Sequence, residues 1–291
     1  MSPRLGVILL VTTWFCWGFS YPATGIMLDT VDVWAGRSIV MAVSGVMLLA
    51  LAYVQGHEIA VPRAHWRDLV IAAVFNMTIF QVAMTVGIHL FSAGRTAVIV
   101  YTMPLWAMLF AWPLLGERPG RAQLLALPLG MAGLAVLMSQ DFTHLRHASA
   151  GALTTLVGAI AFGLGTVLMK RRAWTSNPTV LGGWQLIIGV LPVAVVWAIF
   201  APDTVWAEVS TESWLAIAYL VVIANALAYF SWFRVVSIFP ATVSGIGAMA
   251  VPVVGIIASA MLVNEAVGWR ELVALGLICS AVGINLYAAT R

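Results

Sequence analysis

The sequence is poor in charged residues, and this shortage excludes most soluble folds. Only 9% of its 291 residues are Asp, Glu, Lys or Arg, whereas 62% are hydrophobic, and the mean hydropathy is +1.01. A typical soluble domain carries roughly 25% charged residues. A soluble chain of this composition would expose large apolar patches to water, so we expect the chain to lie in lipid instead.

Cysteine is also scarce, and the basic residues form no stripe. The two cysteines, Cys16 and Cys279, lie in separate apolar runs, which argues against a disulfide and against thiolate ligation of a metal. We therefore predict no metal and no cofactor. The net charge of +3 comes from residues at the ends of apolar runs, so nucleic acid is not an expected partner.

Apolar runs of membrane-spanning length recur along the chain. One span needs about 20 residues. Backbone polar groups must be satisfied internally in lipid, and the runs do not alternate as barrel strands do, so they are helices. We predict an all-α integral membrane protein with ten transmembrane helices, at about 5–25, 33–54, 68–90, 95–115, 121–139, 151–170, 180–200, 213–233, 241–262 and 270–289.

The distribution of Lys and Arg predicts the orientation of these helices. If the N-terminus is cytoplasmic, ten of the 14 basic residues lie inside: Arg4, Arg63, Arg67, Arg118, Arg121, Lys170, Arg171, Arg172, Arg234 and Arg291. The other four, Arg37, Arg95, Arg146 and Arg270, lie outside. This is the bias of the positive-inside rule. We therefore expect both termini in the cytoplasm.

An internal repeat divides the predicted helices into two sets of five. A shift of 148 residues pairs two prolines, each 13 residues before a glutamate, and aligns Phe91 with Phe239, Pro104 with Pro252, Glu117 with Glu265 and Gly120 with Gly268. We predict a first repeat at 1–147 and a second at 148–291. Because five is odd, the halves enter the membrane in opposite orientations, as two inverted five-helix repeats around a central cavity. That arrangement favours alternating access.

Several short motifs together resemble the EamA-type ten-helix exporters of the drug/metabolite transporter superfamily. The motifs are Trp17-Gly18-Phe19, Phe91-Ser92-Ala93, Pro104, Leu114-Leu115-Gly116-Glu117, Ala226-Leu227-Ala228-Tyr229, Phe239-Pro240-Ala241, Pro252 and Asn264-Glu265. The resemblance implies a multi-pass protein of a bacterial inner membrane, with a cavity lined by helices 1, 3, 4, 6, 8 and 9. Within that family the chain looks most similar to bacterial exporters of amino acids and aromatic metabolites.

The candidate substrate-binding residues are aromatic, amide and methionine side chains that fall deep inside the predicted helices. Unpaired amides cost free energy in hydrocarbon, so they face either a wet cavity or an interhelical hydrogen bond. Aromatic rings stack on aromatic ligands, and methionine adapts its shape. The candidates are Trp14, Trp17, Asn76, Gln81, Tyr101, Met103, Phe162, Asn225, Tyr229 and Met249. Pro104 and Pro252 each remove a mid-span backbone hydrogen bond and are the predicted hinges.

No Asp, Glu, Lys or Arg falls near the middle of a predicted span, so we expect a passage without fixed charge. This favours export of small neutral or zwitterionic organic solutes, such as amino acids and aromatic metabolites, by a gradient-driven facilitator. The solute and the lipid bilayer are then the partners. A monomer suffices for such a passage, and a dimer is compatible with it.

Two other functions remain open from the sequence. One is a proton-coupled multidrug efflux carrier, for which His89 is the only histidine within a predicted span. The other is a membrane-embedded enzyme or a non-transporting membrane subunit. We predict no enzyme activity and no catalytic residue, because a nucleophile with its base, a pair of acids and a metal-ligand set are all missing at depth.

Overall fold

The computed structural model describes residues 3–90, 96, 99–139, 149–200, 204–255 and 268–290. Every regular element within these ranges is helical. Several sequence features lie outside the described residues: the Phe91-Ser92-Ala93 motif, Arg95, Arg146, Asn264-Glu265 and Arg291.

The described residues form long apolar helices, as the sequence predicts for a multi-pass membrane protein. Within the described ranges, seven helices are long and apolar enough to cross a membrane, and three further apolar helices are shorter. The helices are α1 Pro3–Leu28, α2 Val33–Val54, α3 Arg63–Leu90, α4 Met103–Leu115, α5 Arg121–Met138, α6 Ser149–Arg171, α7 Pro178–Phe200, α8 Thr211–Ile238, α9 Ala241–Gly255 and α10 Trp269–Thr290.

Helix ends coincide with residues whose chemistry favours an end. The Asp32 carboxylate accepts hydrogen bonds from the backbone N–H groups of Trp34 and Ala35, at 2.9 and 3.3 Å, and so caps the start of α2. The Ser210 hydroxyl accepts from the N–H of Ser213 at the start of α8. Gly116 ends α4 in the left-handed region, at φ 69°, which glycine adopts without a steric penalty.

Helices α3 and α8 each contain a π-helical segment, at Val74–Ile79 in α3 and at Leu220–Leu227 in α8. The 148-residue shift places the first segment inside the second. A π-helical segment leaves a local irregularity in the backbone and is frequent at functional sites. Both segments lie at the depth where the polar side chains of α3 and α8 face each other.

Glycines allow helices from the two predicted halves to approach closely. A Cβ atom on Gly45 of α2 would lie 2.8 Å from Ile187 of α7, and one on Gly133 of α5 would lie 3.1 Å from the carbonyl oxygen of Ala274 in α10. Helix α2 therefore packs along α7, and α5 along α10. Residues of α1, α2, α3, α4, α6 and α8 enclose a cavity.

Candidate substrate cavity

A narrow cavity lies between helices α1, α2, α3, α6 and α8 and the start of α4. Its lining residues are Trp17, Ser20, Tyr21, Thr24, Arg37, Phe80, Gln81, Met84, Val100, Tyr101, Met103, Phe162, Leu220, Ala224, Asn225 and Tyr229.

Aromatic rings cluster around Trp17 at one end of the cavity. The ring centroid of Trp17 lies 6.2 Å from Phe162, 5.6 Å from Tyr229 and 5.4 Å from Trp232, and the first two contacts are edge-to-face. The Trp17 indole N–H donates to the carbonyl oxygen of Ala224, 3.1 Å away, within the π-helical segment of α8. These contacts fix the indole orientation, and we call this end of the cavity the aromatic floor.

The polar wall of the cavity consists of side chains from α3 and α8. Gln81 Nε2 donates to Asn225 Oδ1 and to the Tyr229 hydroxyl, both at 3.1 Å. Asn225 Nδ2 donates in turn to the carbonyl oxygen of Leu220, five residues earlier in the π-helical segment. The irregular backbone of α8 therefore orients the amide that receives the bond from α3.

A buried guanidinium lies on the same cavity. Arg37, the fifth residue of α2, is only 2% exposed and lines the cavity. Its Nε donates to the hydroxyl of Thr85 on α3, and its Nη2 donates to the hydroxyl of Thr24 on α1, at 3.1 Å. Within the described part of the chain, no carboxylate forms an ion pair with Arg37, and it is the only Asp, Glu, Lys or Arg among the buried residues.

The family model of the EamA-like transporter family matches residues 4–139 and 149–287 of this sequence. The chain belongs to the EamA-like transporter family. Its membership fits the helical architecture and the enclosed cavity, and it identifies the protein as a multi-pass membrane transporter.

Several relatives of this EamA-like chain cover nearly its whole length. It is 20% identical over 285 residues to the uncharacterized transporter YoaV of Bacillus subtilis, covering 97% of each chain. It is 25% identical over 287 residues to the uncharacterized inner membrane transporter YedA of Escherichia coli, covering 97% of this chain and 90% of the relative. A solved structure titled "Crystal structure of protein" matches with a TM-score of 0.83 at 19% identity, covering 98% and 99% of the two chains. That structural similarity shows the fold alone.

Seven of the ten predicted substrate-binding residues of this EamA-like transporter line the cavity: Trp17, Gln81, Tyr101, Met103, Phe162, Asn225 and Tyr229. The other three lie elsewhere. Asn76 Nδ2 donates to Gln185 Oε1 at 3.0 Å, which is the interhelical alternative for that amide. The Trp14 indole donates to the Gly247 carbonyl oxygen, and Met249 is fully buried.

Arg37 contradicts the expected absence of fixed charge in the passage. The basic-residue count placed Arg37 outside, near the end of the predicted helix 33–54, but the structure buries its side chain on the cavity, more than one turn inside α2. The set of lining helices also differs from the expectation: α2 contributes to the lining, and the described residues 241–255 of α9 do not.

The predicted hinge prolines lie just after interruptions of their helices. Tyr101 and Thr102 form a turn before α4, and Met249 and Ala250 form a turn within α9. The 148-residue shift aligns these turns. Pro104 and Pro252 are thus in the first turn of a new helical segment, where the missing N–H costs little, rather than in the middle of a continuous kinked helix.

Beyond the aromatic floor, polar contacts of Lys170 and Glu117 connect helices α4, α6, α8 and α9. Lys170 Nζ of α6 donates to the carbonyl oxygens of Val236 and Phe239 at the end of α8, at 3.2 and 2.6 Å. It also lies 4.0 Å from Glu117 after α4, whose Oε2 accepts from the N–H of Ala241 at the start of α9. We call this group the Lys170–Glu117 latch. It joins segments from both predicted halves at one end of the molecule.

Proposed function

We propose that this transporter exports small organic solutes with an aromatic or amino-acid-like body, by alternating access through the cavity at Trp17. The observation that carries the proposal is the composition of that cavity, an aromatic floor next to a polar wall. Such a site accepts a ring against Trp17 and Phe162 and leaves polar groups near Gln81.

Three similarities between the two halves of the chain, residues 1–147 and 148–291, support alternating access by two inverted repeats. The family model matches one stretch in each half. The π-helical segments of α3 and α8 overlap under the 148-residue shift, as do the turns at Tyr101-Thr102 and Met249-Ala250. In inverted-repeat transporters the substrate lies between the repeats near the bilayer midplane, and each repeat adopts the conformation that the other leaves.

With the predicted orientation, the side of the cavity that faces the cytoplasm is the closed one. If the N-terminus is cytoplasmic, α1 runs outward, so Trp17 forms the inner end of the cavity and Arg37 lies at its outer side. The Lys170–Glu117 latch then closes the cytoplasmic face. An E. coli relative named as an inner membrane transporter supports the same location for this chain, a bacterial inner membrane.

We further propose gradient-driven facilitation over proton-coupled multidrug efflux. Proton coupling needs a titratable group at depth. Within the described ranges no Asp, Glu or His is among the buried residues, and His89 is exposed at the end of α3. A proton-coupled carrier remains the second candidate, and transport by a monomer is expected in either case.

Counterflow in proteoliposomes tests the proposed function. Purified protein is reconstituted with unlabelled solute inside, and uptake of labelled L-phenylalanine, L-tryptophan and a cationic dye is compared with that of empty vesicles. We expect uptake of the aromatic amino acids without a change in internal pH. Stoichiometric proton movement would replace the facilitator with a coupled carrier. Absence of counterflow for every solute would contradict transport of this class, and hydrolysis or modification of a solute would favour an enzyme instead.

A further inference from the structure

We propose that Arg37 binds the carboxylate of the transported solute, so that the substrates are small aromatic monocarboxylates. This inference rests on the proposed function and deepens it by naming the group that the cavity recognises. It follows from the position, hydrogen bonds and charge of Arg37.

Two helices hold the guanidinium in one orientation on the cavity. The hydroxyls of Thr85 and Thr24 accept from Nε and Nη2, and Thr85 itself donates to the carbonyl oxygen of Gln81, 2.8 Å away. Arg37 is therefore connected to the polar wall through Thr85. A guanidinium carries five N–H donors, so two hydroxyl acceptors leave donors available for a ligand.

The charge on Arg37 lacks a protein counterion among the described residues. Its two hydroxyl partners are neutral, and no Asp or Glu is among the side chains that the structure describes as buried. A buried charge without an opposite charge is costly, especially at membrane depth. A cavity that keeps such a cation is suited to a ligand that brings a negative charge.

The charge balance selects a carboxylate over a phosphate. One guanidinium neutralises one carboxylate and binds it through two parallel hydrogen bonds. A phosphate ester carries close to two negative charges at neutral pH, so one Arg would leave a net negative charge in the cavity. Several other lining residues are aromatic, with Phe80 and Phe162 at a centroid distance of 4.5 Å, so the remainder of the solute is expected to be a ring.

The ligands used in the test distinguish two classes of compound that could supply the carboxylate. An aromatic amino acid is a zwitterion, whereas an arylalkanoate carries the carboxylate alone. The matched set is 3-phenylpropionate, L-phenylalanine, 3-phenylpropanamide and phenethylamine, measured by quenching of tryptophan fluorescence with the purified full chain. The buffer is neutral, so that the carboxylates are ionised and L-phenylalanine remains a zwitterion. Binding of 3-phenylpropionate together with L-phenylalanine makes the carboxylate sufficient, and binding of L-phenylalanine alone makes the zwitterion the substrate; both support the proposal.

Variants of Arg37 and its partners identify the binding group. Arg37→Gln should weaken binding of the carboxylates about 10- to 100-fold and leave the amide unchanged, because it removes a charge-assisted pair. Arg37→Lys should restore only part of the affinity. Thr85→Val, which keeps the charge but removes its acceptor, is the second variant and should give an intermediate loss, whereas Thr85→Ser should not. Arg234→Gln is the control, since its guanidinium contacts Phe230 and Thr179 and does not line the cavity.

The possible outcomes separate this inference from the proposed function. Equal binding of 3-phenylpropanamide and 3-phenylpropionate, or unchanged carboxylate affinity in folded Arg37→Gln protein, overturns the role of Arg37. Transport of neutral or cationic aromatic solutes in counterflow would then still support the proposed function. Failure of the wild-type protein to bind or move any solute of the set overturns both.

Discussion

Gln81 Nε2 lies 3.1 Å from the hydroxyl oxygen of Tyr229, and these two residues are 148 positions apart in the sequence. They are thus the residues that the internal repeat aligns, and they contact each other directly on the cavity. Residues at equivalent positions of two inverted repeats meet only close to the axis that relates the repeats. Under the proposed inverted-repeat arrangement, this contact lies at the pseudo-two-fold axis.

A double-mutant cycle measures the strength of this contact. Tyr229→Phe and Gln81→Leu each remove one side of the bond, and Asn225 remains as the second acceptor for Gln81. We expect a coupling energy of about 0.6 kcal/mol, with roughly 1.7 kcal/mol as the upper limit for hydrogen bonds between membrane helices. Unfolding of the purified protein by denaturant in detergent gives the four stabilities. Purely additive effects of the two changes would contradict a direct bond.

Trp17 and Trp14 offer a matched pair for testing the aromatic floor. Both indoles donate to a backbone carbonyl oxygen on another helix, but only Trp17 lines the cavity. We expect Trp17→Phe to raise the apparent KM for an aromatic solute and Trp17→Ala to lower transport more than tenfold, since a stacked ring contributes about 1 kcal/mol beyond its buried area. Trp14→Phe should leave KM unchanged. The reverse ranking in counterflow assays would place the ring-binding surface elsewhere.

Gly165 tests the close approach of α6 to the π-helical segment of α3. A Cβ atom at this position would lie 2.3 Å from Asn76 Oδ1 and 2.9 Å from the Asn76 backbone nitrogen, and the backbone cannot move freely. We expect Gly165→Ala to lower stability by about 1–3 kcal/mol, the usual cost of overpacking.

The control for that change is Gly276→Ala in α10. Nothing lies within 4 Å of a Cβ atom there, so the substitution should be neutral or should stabilise the helix by up to about 1 kcal/mol. Thermal unfolding in detergent compares the two variants. Equal midpoints would show that α3 and α6 are not packed as described.

The Lys170–Glu117 latch should control access from the cytoplasmic side. Lys170→Met removes two hydrogen bonds to the end of α8 and the charge next to Glu117. Hydrogen bonds to a charged group contribute roughly 1.5–3 kcal/mol each, so we expect the inward-open population to rise at least tenfold. The readout is the rate at which a cytoplasmic maleimide labels a cysteine placed at Met84 in the cavity.

A surface ion pair provides the control for the latch. Asp68 and Arg172 also pair across helices, but their side chains are 39% and 32% exposed. Exposed pairs contribute about 0–1 kcal/mol, so Arg172→Met should leave the labelling rate nearly unchanged. A similar increase in both variants would show a general loosening rather than a latch.

The first residues of α5 and α10, which are equivalent helices of the proposed repeats, test the inverted topology. Arg121 begins α5 and Trp269 begins α10, they align under the 148-residue shift, and both are exposed. Single cysteines at these positions should react with an impermeant maleimide from opposite faces of the membrane, position 121 from the cytoplasm and position 269 from outside. Reaction of both from the same face would exclude inverted repeats.

Hydropathy was sufficient to locate the helices because lipid requires long apolar segments with satisfied backbones. The predicted segments 33–54 and 180–200 differ from α2 and α7 by at most two residues at either end. The sequence does not predict what kind of interruption a proline causes. Pro104 indicates an irregular α4, but only the structure shows that the irregularity is a turn at Tyr101-Thr102, before the proline.

Some cavity residues, such as Gln81 and Tyr229, are predictable because they are polar or aromatic and lie deep inside predicted helices. Depth does not distinguish a cavity from an interhelical bond, which is why Asn76 was grouped with Gln81 although it pairs with Gln185. Sequence reasoning does not reveal the role of Arg37, because a basic residue near a helix end is normally a sign of membrane orientation. Its burial depends on Thr24 and Thr85, which lie on other helices and leave no local trace in the sequence.

Alternating access through this cavity is tested most directly by one labelling measurement. In a chain carrying Cys16→Ser and Cys279→Ser, a single cysteine replaces Met84 on the cavity wall, and an impermeant maleimide is applied to either side of oriented membranes. We predict labelling from both sides, with slower labelling in the presence of saturating transported solute. Labelling from one side only, whether or not solute is present, would contradict a transport path through the cavity.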